Sequence, residues 1–108
     1  MRNPLKVYSV SALTIHVVKT NPPGLAVHVE GEVSTPGWSE FALQHYVYVQ
    51  PPPDGIYEAD VVGTPPDGPT PDVVTPFCHD ETWIGFPQEH LKGLRVHSRT
   101  NSVTTMLE

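Results

Sequence analysis

The chain has 108 residues, 38% hydrophobic and 17% charged, which excludes a disordered polymer and suits one folded domain spanning 1–108. Its formal charge of −6 sets twelve Asp and Glu against six scattered Lys and Arg, so no basic stripe is available for nucleic acid and an anionic membrane surface would repel it. No apolar run approaches the roughly 20 residues needed to span a bilayer, and thirteen prolines with eight glycines interrupt any long helix, favouring short strands joined by tight turns.

At the amino terminus, Arg2 and Lys6 precede an apolar-leaning run, a weak likeness to an export signal. Tyr8, Ser9, Ser11, Thr14 and His16 interrupt that run and no small-residue cleavage site follows it. Leu5 to Lys19 therefore reads as one or two strands, with Leu13, Ile15 and Val17 alternating against Thr14 and His16. Lys19 to Gly24, KTNPPG, is a turn by composition. Leu25 to Ser34 then alternates most cleanly, Leu25, Val27, Val29 and Val33 against His28, Glu30, Glu32 and Ser34. An antiparallel hairpin of the two runs places His16 opposite His28 or Glu30.

Trp38 to Val49, WSEFALQHYVYV, is rich in β-branched and aromatic residues and bounded by glycine and proline, so it reads as the central strand. Phe41, Leu43, His45, Val47 and Val49 would share one face, with Ala42, Gln44, Tyr46 and Tyr48 on the other. Neither face looks purely solvated, which implies two layers. Gln50 to Pro76 contains an echo: Pro52-Pro53-Asp54-Gly55 before Asp60-Val61-Val62, and Pro65-Pro66-Asp67-Gly68 before Asp72-Val73-Val74. Each half is expected to be a turn feeding a short strand, with proline presetting one φ and glycine supplying a positive one.

Phe77 to Gly93, FCHDETWIGFPQEHLKG, is the least regular segment and the densest in reactive side chains. It is expected to be a loop, with one helical turn at Pro87 to Leu91 ended by Gly93. Leu94, Val96 and Ser98 then alternate with Arg95, His97 and Arg99, and Thr100-Asn101-Ser102 leads to a last strand, Val103 to Leu107. Seven to nine short strands of this kind predict an all-β fold, an antiparallel β-sandwich of the general immunoglobulin or fibronectin type III architecture. A small closed β-barrel satisfies the same alternation and is the alternative. The Cys…Trp…Cys signature of antibody domains is absent, since Cys78 is the only cysteine. That count also rules out an intrachain disulfide and gives no sign of an oxidising compartment, so a cytoplasmic location is expected.

Six histidines beside a cysteine raise the possibility of zinc or copper. Yet the chain has no His-x-His, Cys-x-x-Cys or His-x-x-x-His spacing that would present two ligands on one face. Cys78, His79, Asp80 and His90 are the residue types of a nucleophile, a base and an orienting acid, but neighbours in an extended chain point to opposite sides, and a lone cysteine is usually a buried hydrophobe. His16, His28 and His97 are expected on outward faces near Glu30, Glu32, Arg95 and Arg99, where carboxylates would favour the charged imidazole.

The aromatics of the same segment carry more weight. Phe77, Trp83 and Phe86 lie close together among Asp80, Glu81 and Glu89, and loops on a rigid sandwich are where recognition residues sit. The competing reading is that they close one end of the core. The leading expectation is a non-enzymatic protein-binding or accessory domain, a monomer or homodimer without cofactor, presenting Trp83, His79, Asp80, Phe86 and His90 to another protein. The alternative is a small zinc- or copper-binding protein using His79, His90, Cys78 and His45.

Overall fold

Short alternating runs punctuated by proline and glycine build two packed sheets. The computed structural model describes residues 4–107, which form eight strands and no helix. In chain order these are β1 (Leu5–Lys6), β2 (Ser9–Val18), β3 (Gly24–Val33), β4 (Ser39–His45), β5 (Ile56–Thr64), β6 (Thr75–Ile84), β7 (Gly93–His97) and β8 (Ser102–Met106). One sheet contains β1, β4, β5, β7 and β8, and the other runs β2-β3-β6. Neither closes on itself, so the fold is a small β-sandwich and not a barrel. No helix among the described residues is long and apolar enough to cross a membrane.

The larger sheet is organised on β5. It pairs antiparallel with β4 along one edge, while the other edge takes β7 in parallel at Ile56 to Asp60 and then β1 antiparallel at Val62 and Gly63. Tyr57, Ala59 and Val61 point into the core, while Glu58 and Asp60 point out. There Glu58 lies 2.7 Å from His97 and 3.5 Å from Arg95, and Asp60 accepts from Tyr46 at 2.9 Å. The expected central strand, Trp38 to Val49, is instead an edge strand that ends at His45. Phe41, Leu43 and His45 do face inward, but Val47 and Val49 are 97% and 102% exposed. Tyr46 N still donates to Glu58 O at 2.9 Å, but beyond it the chain leaves the sheet and runs into prolines 51–53, which have no N–H groups to offer a ladder.

In the smaller sheet β3 is central. Strict alternation buries Leu25, Val27, Val29 and Val33 as expected. The β2–β3 register sets Thr14 opposite His28 and His16 opposite Ala26, which corrects the expected pairing of His16 with His28 or Glu30. The β2–β3 register shifts between Val10 and Ala12, and Gly31 sits against this irregularity: a Cβ there would lie 2.1 Å from the Ser9 carbonyl oxygen.

Between β1 and β2 the chain crosses from one sheet to the other at Val7, which is fully buried and donates to the Val61 carbonyl at 3.0 Å. The β7–β8 turn grips this crossing. Arg99 N donates to Val7 O at 2.9 Å, and the Asn101 side chain both accepts from Val10 N (2.9 Å) and donates to Val10 O (2.8 Å).

The two proline-aspartate-glycine copies diverge. Gly55, at φ 75°, closes a turn by donating to Pro52 O at 3.0 Å and leads into β5. Gly68 also has a positive φ, but no strand follows it: Val73 and Val74 lie exposed, and β6 begins only at Thr75. The segment expected to be a loop, Phe77 to Gly93, is a strand through Ile84. Its remainder contains the expected turn, with Leu91 N donating to Pro87 O at 2.9 Å. Phe86 and Leu91 cap the core formed by β2, β3, β5 and β7.

Candidate functional site

The strand that carries most of the predicted residues, β6, is an edge strand paired only to β3. Its side chains alternate by burial: Phe77, His79, Glu81 and Trp83 face the opposite sheet, and Pro76, Cys78, Asp80, Thr82 and Ile84 face solvent. Gly85 N donates to Pro23 O at 3.2 Å, extending the β3–β6 register by one pair. Hydrogen-bonded and non-bonded pairs alternate along an antiparallel ladder, so the odd-numbered residues of β6 are those bonded to β3. Pro76, which has no N–H to give, falls on an even position, as this phase requires. The N–H and C=O groups of Cys78, Asp80, Thr82 and Ile84 therefore point to the open side. No turn or loop hydrogen bond among the described residues reaches them.

Above β6 lies β4, the edge of the other sheet. Phe41 stacks on Phe77 with ring centroids 4.6 Å apart, and His45 on Trp83 at 4.0 Å. Between these stacks Glu81 Oε1 accepts from Leu43 N at 3.0 Å and lies 2.8 Å from His79 Nε2. Leu43 N belongs to the side of β4 that faces away from β5, so a carboxylate pointing inward from β6 caps the edge of β4. This is a recognised device against strand-to-strand aggregation. Burial pushes the His45 imidazole below its ordinary value, a shift partly opposed by the Glu81 charge, and Nδ1 is buried without a hydrogen-bond partner.

On the solvent face the third row of the sheet is Thr14, His28 and Asp80. His28 Nδ1 lies 2.6 Å from Asp80 and Nε2 lies 2.9 Å from Glu30. Carboxylates only accept, so both contacts are satisfied together by the imidazolium. The bonds to Glu30 and then Asp80 raise the His28 pKa above its ordinary value. Beside this row, Thr14, His16, Ala26 and Thr82 complete a shallow depression of about 210 Å³. The strands β2, β3 and β6 carry Glu30, Glu32, Asp80 and Glu81 and no Lys or Arg.

Of the residues predicted for partner contact, His79 and Trp83 share the inner face and Asp80 projects from the outer face of the same strand. Phe86 is 4% exposed and packs in the core instead of facing a partner. His90 stands on the 87–91 turn, whose backbone abuts Gly55. Cys78 is exposed, contrary to its reading as a buried hydrophobe, and its thiol and the His79 imidazole diverge to opposite faces.

His45 and His79 flank Glu81, while Cys78 faces away. Among the described residues no group of three or more His, Cys, Asp or Glu is placed to hold a metal ion. The expected outward set is divided, with His28 and Glu30 on one sheet and His97 and Arg95 on the other.

Glu81 is the site residue that sequence reasoning missed as an organiser, whereas His28 was expected on an outward face near Glu30 and lies there, with Asp80 as a second partner that was not foreseen. The period-two pattern of Phe77, His79, Glu81 and Trp83 was the available signal. No protein family, curated protein or solved structure matches this chain.

Proposed function

We propose that this chain is a non-enzymatic binding domain that engages another protein by adding an extended segment of that protein to the free edge of β6. Trp83 and Asp80 lie on the two sides of the docking strand, and a cytoplasmic setting fits a single unpaired cysteine. The observation that supports this reading is the contrast between two neighbouring edges. The edge of β4 is capped by Glu81 at Leu43 N, while the outward groups of Cys78, Asp80, Thr82 and Ile84 have no such guard among the described residues. An added strand gains main-chain hydrogen bonds along an edge of this kind and takes its specificity from alternate side chains.

The test is capture from cell extract on immobilised wild type beside Thr82→Pro. Proline at this outward position removes an edge N–H and blocks an incoming strand but breaks no bond to β3, as Pro76 already demonstrates. A protein retained by the wild type and released by the variant is expected. The proposal fails if every captured protein binds both alike.

A further inference from the structure

The charge of the smaller sheet identifies the kind of segment that would dock. All four ionisable acids of its strands, Glu30, Glu32, Asp80 and Glu81, are uncompensated by any Lys or Arg on those strands. Among the described residues their ion-pair partners are histidines: His28, held between Asp80 and Glu30 on the outer face, and His79, beside Glu81 on the inner one. A strand added beside β6 would extend the Thr14, His28, Asp80 row by one residue, placing its outward side chain roughly 5 Å from Asp80 at Cβ. The Asp80 side chain is 76% exposed, with Oδ1 on His28 Nδ1 at 2.6 Å.

A second copy of this chain is poorly suited to that position. Antiparallel pairing of two β6 edges brings the Asp80-Glu81 acids of both copies close together, and like charges across a strand pair are destabilising. Proline at 76 limits the usable edge to the end of the strand that carries those acids.

We infer that the occupant of the β6 edge is a cationic extended peptide, with Lys or Arg at alternate positions facing the outer surface and small apolar residues facing Phe77 and Trp83. This rests on the edge-docking reading above and adds the chemistry of the partner. Opposite charges gain most at the low ionic strength of a long screening length, so the preference weakens with salt.

Two capped peptides of about eight residues, one alternating Val and Lys and one alternating Val and Glu, would be titrated into isotope-labelled protein while amide shifts and hydrogen exchange are followed. The Val/Lys peptide is expected to bind at least about tenfold more tightly at low salt, a difference of roughly 1.4 kcal/mol. It should also slow exchange at Cys78, Asp80, Thr82 and Ile84. Asp80→Lys should reduce the preference by at least about threefold, and this variant retains the free backbone edge.

Equal binding of both peptides at those amides overturns the cationic preference and leaves edge docking intact. Failure of both peptides to protect those amides overturns both. Protection at Ile15 and Val17, in the groove of about 640 Å³ between β2 and β8, places docking elsewhere and overturns both. Concentration-dependent protection of the β6 edge in the protein alone, with a doubled sedimentation mass, assigns the edge to a second copy and overturns the peptide.

Discussion

Replacing Glu81 tests whether the inward carboxylate stabilises the meeting of the two sheet edges. Its Oε1 accepts from Leu43 N at 3.0 Å and faces His79 Nε2 at 2.8 Å, with the Glu81 side chain 29% exposed. Withdrawing the acceptor from a partly buried N–H costs about 1–3 kcal/mol. The histidine contact adds little, because partial exposure screens it. Glu81→Ala is therefore expected to destabilise by about 1.5–2 kcal/mol, a fall in Tm of roughly 6–12 °C for a domain of this size.

Glu81→Gln keeps a carbonyl oxygen for Leu43 N and should cost less than about 1 kcal/mol. Urea unfolding of the three proteins, read by tryptophan fluorescence, gives the differences directly, since Trp83 lies two residues away and stacks on His45. The alanine variant should also self-associate more readily, because the Leu43 edge of β4 is uncapped. An alanine variant within about 0.3 kcal/mol of wild type, or a glutamine variant as damaged as the alanine, would refute the capping role.

Asn101→Ala removes the partners of both Val10 N and Val10 O at the chain crossing and should destabilise by about 2–3 kcal/mol in the same urea assay. Leu94→Ala, at a fully buried position on β7, should cost about 2–5 kcal/mol with no change in folded topology by amide shifts. The raised His28 pKa contributes stability that is complete below pH 6.5 and is lost as pH rises through the folded value. The advantage of wild type over His28→Gln should therefore shrink as the pH is raised from about 5 to about 9. His45 has the opposite sign. Its lowered pKa means stability is complete above pH 6.5 and falls as the unfolded chain takes up its proton first. His45→Phe, which keeps a ring on Trp83, should gain on wild type as the pH is lowered, and a pH-independent difference would refute the burial argument.

The sequence made the β3 strand legible because alternation and burial coincide there: every second residue from Leu25 to Val33 is buried. It misplaced the hub. Trp38 to Val49 has the stronger β propensity, yet propensity measures fit to a pleated surface and does not count neighbours. β5 has three partner strands although it carries Glu58 and Asp60, whose charges are met by Arg95, His97, Lys6 and Tyr46 across the sheet. In β6 the pattern was present but disguised, because His79 and Glu81 occupy the inward positions of Phe77 and Trp83. A carboxylate facing inward looks like a loop residue until β4 is placed above it. The His28–Asp80 contact spans 52 residues of sequence, and no local signal encodes it.

The two edges on this side of the sandwich follow one electrostatic rule with different outcomes. Glu81 turns inward and satisfies an outward N–H of β4, removing a docking position. Asp80, one residue earlier and therefore on the opposite face, leaves the β6 backbone open and places a negative charge beside it. A charge in that position guards an edge against strands of like sign, including other copies of this acidic chain, but it cannot guard against a strand of opposite sign. On the proposed reading, the side chain that disfavours pairing with a second copy also selects the foreign strand. Reversing it should exchange the two properties, so that Asp80→Lys loses affinity for the cationic peptide and gains affinity for the acidic one.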